Sequence, residues 1–335
     1  MITMPKNQEE TASQRYWRDR EEEQRKKNIT DEAEYQKEIE RIYNSMLDAI
    51  EKEINGFYAR YAKKEGITMA EAKKRVAKLD IEAYERKAAK YVKEKNFSEQ
   101  ANEEMRLYNL TMKVNRLELL KANIGLELVS GFDELQKFFE EEINEETIKE
   151  FERQAGILGE TVKNSAETAQ VIVNASFKNA HFSDRIWMYQ DMLKNEINTL
   201  IQTGLIRGES SAKLADHLVK RFGVSRYNAV RLMVTEMSRA RTDARKQSFK
   251  RNGFEDYTFK AEPTACPVCR SIHNNHYKVD DTMPGTNAPP MHPNCHCSTV
   301  PYIDDKEFNA WFEYITNGGT TRQWNKMKKR SEVKK

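Results

Sequence analysis

No proline stands between Pro5 and Pro263, and the remaining seven fall between Pro263 and Pro301. Only 13 of the 335 residues are glycine, so a run of 257 residues is nearly free of helix breakers. That excludes a loop-rich or mainly β chain and predicts long helices. No run approaches 18 apolar residues, which excludes a membrane-spanning helix. The stretch from Met1 to Arg25 has no apolar core, so we expect no signal peptide and a reducing compartment. Walker A, G-x-G-x-x-G, G-x-S-x-G and H-E-x-x-H patterns are all missing, as is H-x-E before a C-x-x-C, so we expect no enzyme. The formal net charge is only +3, too little for a protein that coats a polyanion, so any nucleic-acid contact must be local.

What is present is segregated. Hydrophobic residues are 38% and charged residues 33%, which favours an elongated, helix-rich molecule over one large core. After a polar arm over 1–30, read as a flexible segment or an exposed helix, residues 31–130 carry long amphipathic helices. Ile39, Ile42, Tyr43, Met46, Ile50, Ile54 and Phe57 recur at helical spacing. Gly66 interrupts that stripe, Thr68 to Glu71 fits a capping box, and Ser98 is a candidate N-cap for a third helix. Residues 131–255 read as a bundle with an acidic and then a basic segment. Ser183 is a candidate N-cap, Gly204 and Gly208 end one helix, a second runs from Ser210 to Phe222–Gly223, and a third follows Ser225.

Residues 133–152 have a net charge of −7, residues 207–255 a net of +7, and residues 319–335 a net of +6. A solvated helix face is the plain reading of the acidic block, and a site for a basic partner surface is the other. Two readings of the basic segment stand side by side. Its bases pair with the acidic block, or Arg239, Arg241, Arg245, Lys246, Lys250 and Arg251 address DNA phosphates without base readout.

All four cysteines lie in the lobe over 256–303: Cys266, Cys269, Cys295 and Cys297. Tyr257 to Phe259 and Ser298 to Val300 alternate like short strands. A C-x2-C knuckle turns two thiolates toward one ion, and Zn²⁺ prefers four thiolate or imidazole ligands in a tetrahedron. We therefore expect one structural zinc per chain, held by Cys266 and Cys269 with two of His292, Cys295 and Cys297. A disulfide pairing and free structural thiols are the other readings. His273, His276 and His296 are read as surface residues. A basic C-terminal tail over 304–335 completes the chain. The fold class is thus mainly α, with elongated N-terminal helices, a helical bundle and a small C-terminal α+β zinc-binding lobe.

In order, the chain carries Val234-Thr235-Glu236-Met237-Ser238-Arg239-Ala240-Arg241, Gly253, Cys266-Pro267-Val268-Cys269 and Pro289-Pro290-Met291-His292-Pro293-Asn294-Cys295-His296-Cys297-Ser298. This resembles the Mu F-like head morphogenesis proteins, the tailed-phage minor head protein family. Where the family has Arg before Thr-Glu this chain has Val234, and where it has Arg between the last two cysteines this chain has His296. Residues 180–303 carry the specific resemblance, and Tyr16-Trp17-Arg18 resembles the family more weakly. The resemblance implies a minor capsid component of the virion, placed at the portal vertex and present in the host cytoplasm during assembly. It further implies the portal protein and the major capsid or scaffold protein as partners, and non-specific double-stranded DNA contact during packaging or delivery. Two other classes stand beside this one. A metal-dependent His-Asn-His type nuclease could use His273-Asn274-Asn275-His276, and a host-side zinc-ribbon regulator lacks any readout motif.

Overall fold

The computed structural model describes residues 10–61, 78–95, 97–102 and 116–332, of which 75% are helical. The helices are α1 (Ala12–Tyr61), α2 (Lys78–Lys95), α3 (Arg116–Leu158), α4 (Ser165–Val173), α5 (Phe182–Arg207), α6 (Ser211–Asn252), α7 (Pro267–Ser271), α8 (Asp305–Thr316) and α9 (Thr321–Glu332). Three strands, β1 (Asp256–Lys260), β2 (His276–Lys278) and β3 (Ser298–Pro301), form one antiparallel sheet in the order β2-β1-β3. The two strand-like segments of the sequence are paired neighbours, Thr258 opposite Val300 and Phe259 opposite Thr299. No described helix is long and apolar enough to cross a membrane.

The chain forms two compact units, and α1, α3 and α6 each contribute to both. The linear division expected from composition is therefore not the spatial one. The first unit comprises residues Glu34–Phe139 and Lys178–Val230. Its core is the α1 stripe from Ile39 to Phe57, packed with α3, α5 and α6. Tyr43 meets Phe132 of α3 at 5.8 Å and Phe222 of α6 at 6.2 Å, and its hydroxyl lies 2.9 Å from Ser225 Oγ. Phe139 stacks on Phe182 at 5.9 Å. Gly131 lies inside α3, where a Cβ would stand 2.1 Å from Met46 Cγ, so the missing side chain lets two helices approach.

The second unit comprises Met1–Ala33, Glu140–Phe177 and Arg231–Lys335. Two expectations change here. Residues 12–30 of the polar arm are the first turns of α1. Trp17 is buried at 2% exposure, and its ring lies 6.1 Å from that of Trp311. The C-terminal tail is two helices. Asp304 caps α8 through Lys306 N–H, and Phe308, Trp311 and Ile315 turn one apolar face toward the sheet and the first turns of α1.

Three helix boundaries also differ. His181, not Ser183, is the N-cap of α5, in a capping box with Asp184. Ser98 accepts from Ala101 N–H at 3.3 Å as an N-cap should. The expected break at Phe222–Gly223 is absent, and α6 runs unbroken from Ser211 to Asn252. A helical glycine costs only about 1 kcal/mol relative to Ala, which the buried Phe222 and its neighbours outweigh. Gly204 sits within α5 because Leu214 packs against it, and Gly208, at φ 70°, ends the helix. Gly66 and the Thr68 capping box lie outside the described residues. Substituting Gly131 by Val should lower the urea unfolding midpoint by an amount equivalent to about 1–3 kcal/mol, since Met46 is buried and the added carbons overpack the crossing.

Candidate metal centre and the ion-pair framework beneath it

The cysteine lobe is built from short elements. Cys266 is the N-cap of α7, where its Sγ accepts from Cys269 N–H at 3.5 Å, so the knuckle is one turn of helix. Cys295 follows Asn294, whose φ of 58° reverses the chain, and Cys297 leads directly into β3. Cys269 Sγ lies 3.5 Å from His292 Nε2 and 3.9 Å from Cys295 Sγ. Ligand atoms of Cys266, Cys269 and His292, and of Cys269, Cys295 and Cys297, fall within 4.8 Å of one another, so the cluster could hold a metal ion. All five candidates come together, and none of the cysteines is in a disulfide. The bond from His292 Nδ1 to the Pro293 carbonyl, 2.9 Å, orients the ring and leaves Nε2 facing Cys269.

The thiols are not alike. A hydrogen bond from Cys297, acting against burial, brings the Cys295 thiol down to about 5. Burial pushes the Cys269 thiol up to about 12. Cys266 is lowered as well, chiefly by the backbone N–H of Cys269, and His292 is raised, against burial, through its bond to the Pro293 carbonyl and the neighbouring thiols. His296 is not a bare surface residue. It is half-buried, and its Nδ1 lies 3.3 Å from Glu32 Oε1 of α1.

The residues assigned to DNA fall into two groups. Arg239, Arg241 and Arg245 are buried at 1%, 6% and 3% exposure. Arg239 pairs with Glu236 at 2.7 Å and Asp243 at 3.0 Å, and donates to the Ile172 carbonyl at 3.0 Å. Arg241 Nε donates to Glu146 at 2.5 Å. Arg245 Nε donates to Glu150 at 2.7 Å, and its Nη2 pairs with Glu21 at 3.0 Å. As placed, these guanidiniums are enclosed by carboxylates of the same chain and are not open to phosphate, which corrects that part of the assignment. Lys246 is half-buried on the Thr282 carbonyl, and Arg251 pairs with Glu160 at 3.2 Å. Lys250 is exposed and pairs with Asp280 at 2.6 Å.

Sequence reasoning missed Glu21 and Arg153 as members of this framework, while Glu146 and Glu150 belong to the acidic block read as a partner of the basic segment. Glu21 joins Arg153 and Arg245, and Glu150 joins the same two arginines, so four residues close a ring. The signal was there in the spacing. Glu146 and Glu150 are four apart on α3, and so are Arg241 and Arg245 on α6. Both pairs join residues 95 apart, so the two helices run parallel at this point.

The two halves of the sequence signature also meet. Thr235 Oγ1 donates to Arg231 O at 2.7 Å and accepts from Asn294 N–H at 3.4 Å. Glu236 is buried at 1% exposure and anchors Arg239.

Residues 195–300 match the family model described as Phage Mu protein F like protein. The resemblance seen in the motifs is thus supported over this segment, and it indicates a phage head-related protein. No curated protein and no solved structure matches the chain.

Burial alone would raise the Glu150 carboxyl, but the charges of Arg153 and Arg245 outweigh it and hold it far below the usual carboxylate range. Its contribution to stability is present above the unfolded value of about 4.3 and is lost as pH falls below it. Glu150→Gln should cost about 3–5 kcal/mol in urea unfolding at pH 7, because two buried arginines keep only part of their countercharge. The gap between wild type and variant should narrow on acidification below about pH 4.

Proposed function

We propose that this chain is a minor head structural protein of a tailed phage, acting in head morphogenesis at the portal vertex, with one structural zinc in its C-terminal lobe. The observation that carries it is the family match over 195–300, which spans both the Thr235-Glu236 helix and the cysteine cluster. Residues of the cluster fit zinc: they are soft donors at converging distances, with no acidic residue among them. Bound there, the ion would clip α7, the Asn294 turn and the start of β3 into one lobe. The family match carries no enzymatic activity with it, and we read the chain as non-enzymatic. The nuclease alternative requires a metal-binding helix after its first histidine strand, and no helix lies between β2 and β3.

In this reading the protein sits in the virion, is made in the host cytoplasm, and docks on the portal protein and on major capsid or scaffold subunits. Duplex DNA contact moves from the buried arginines to outward cations. Lys326 and Arg330 on α9 carry no ion pair among the described residues, and Lys250 is exposed nearby in sequence to the lobe.

Elemental analysis of the purified protein should give about one zinc per chain. Cys269→Ser should release it and unfold the lobe while most helical signal persists, and a chain without zinc or other bound metal would overturn the clip. Duplex binding should be measured by anisotropy with two unrelated sequences at two salt concentrations. Affinity should fall steeply with salt, and Lys326→Glu with Arg330→Glu should weaken both duplexes about equally. Absence of binding at low salt would remove the DNA role and leave the structural role.

A further inference from the structure

A cavity of about 640 Å³ lies between the first turns of α1 and the outer face of the lobe, with Lys260, Arg270, His273 and Asn274 on the lobe side. That volume is in the range of small-molecule sites. All of it belongs to one compact unit.

The charges around it are unevenly compensated. On the α1 side, Glu10 and Asp19 are held by Arg18, Glu22 by Arg25 at 2.6 Å, and Glu23 by Lys27 at 3.8 Å. Glu21 belongs to the buried ring, and Glu262 accepts from the Thr264 N–H and hydroxyl. The lining acids are thus already engaged. On the lobe side, Lys260 is 9% exposed and makes one hydrogen bond, to Asn274 Oδ1 at 2.8 Å, with no carboxylate in ion-pair range among the described residues. Arg270 donates to a carbonyl, Ala265 O, at 2.8 Å, and it too has no acidic partner among them. A buried ammonium whose nearest acids, Glu10, Asp305 and Glu21, act on it only from beyond ion-pair range is costly. Burial accordingly pulls the Lys260 amine below its usual value.

The neighbouring donors are oriented. Ala261 N–H donates to His273 Nδ1 at 3.0 Å, which leaves the ring proton on Nε2. Asn274 spends its carbonyl oxygen on Lys260, which leaves its amide N–H groups free to donate. Asn274 itself is fixed at φ 64°, with its N–H on the Phe259 carbonyl at 2.9 Å. Ammonium, imidazole N–H, amide N–H and guanidinium on one wall are a donor set for a phosphate dianion. Each carboxylate has more lone pairs than its cation occupies, so the engaged acids across the cavity can still accept from hydroxyl and amino groups.

We propose that this cavity binds a free mononucleotide, with its phosphate at Lys260, His273 and Asn274 and its nucleoside toward α1. None of the cysteines lines the cavity, although Arg270, His296 and Ser298 of its lining adjoin them, and the proposal does not rest on the head-protein reading, so either can fail alone.

The test is calorimetric titration of the full chain, at verified metal content, with AMP, inorganic phosphate and adenosine. AMP should bind more tightly than phosphate, and adenosine should not bind measurably. Lys260→Met should weaken AMP at least about tenfold. Its unfolding midpoint should not fall below wild type, because a desolvated charge is removed. Should that variant fail to fold, His273→Ala and Asn274→Ala at less buried positions give the same readout. Failure of wild type to bind AMP, equal affinity for AMP and phosphate, or unchanged AMP affinity in folded Lys260→Met would each overturn the proposal. So would binding confined to a 5′-phosphorylated oligonucleotide, which would assign the cavity to a strand end.

Discussion

The closed ring of Glu21, Arg153, Glu150 and Arg245 fixes the frame on which the lobe is mounted. Two carboxylates and two guanidiniums alternate, so each charge has two opposite neighbours and none is left alone in the interior. Desolvating four charges is expensive, and only such alternation with hydrogen bonds on most polar atoms offsets it. The ring ties α1, α3 and α6 together. Arg245 Nη1 then reaches the Thr299 carbonyl of β3 at 3.4 Å, two residues after Cys297. The position of the last cysteine is therefore coupled to the pairing of helices far away in sequence.

A second tie explains why the family signature comes in two separated parts. Thr235 accepts from the backbone of Asn294, the residue whose left-handed conformation turns the chain between His292 and Cys295. Helix α6 thus supports the turn that aims two candidate ligands. Glu236 and Arg239, buried one helical turn apart, lock that face of α6 against the Ile172 carbonyl. Neither residue touches the cluster, yet each holds the surface that does.

Much of this was legible in the sequence. The α1 stripe, the two strand segments, the N-cap at Ser98 and the five clustered ligand candidates stand where periodicity and spacing placed them. What was not legible depended on tertiary contact. Residues 12–30 have too few apolar positions to read as core, yet Tyr16 and Trp17 seat them among Phe308 and Trp311. The C-terminal stretch was read by its charge, although Phe308, Trp311 and Ile315 recur at helical spacing within it. Gly223 was given the weight of a break because propensity acts locally, whereas packing of Phe222 acts through the fold.

The charge pattern leaves two readings open, and Arg241 and Arg245 fall on the side of internal pairing. A segment of net −7 and one of net +7 invite an external partner for each. Here the α3 acids Glu146 and Glu150 face the α6 bases Arg241 and Arg245 at matched four-residue intervals, so this part of the segregation is offset inside one chain. Periodicity distinguishes the two cases. Bases that repeat at i and i+4 opposite acids with the same repeat are set for internal pairing, while cations without such a counterpart are left to the surface. By that criterion Lys260 belongs to neither class. It is buried as the framework arginines are, but its acids, Glu10, Asp305 and Glu21, stand beyond ion-pair range, and the proposed phosphate would supply the charge that the fold does not bring into contact.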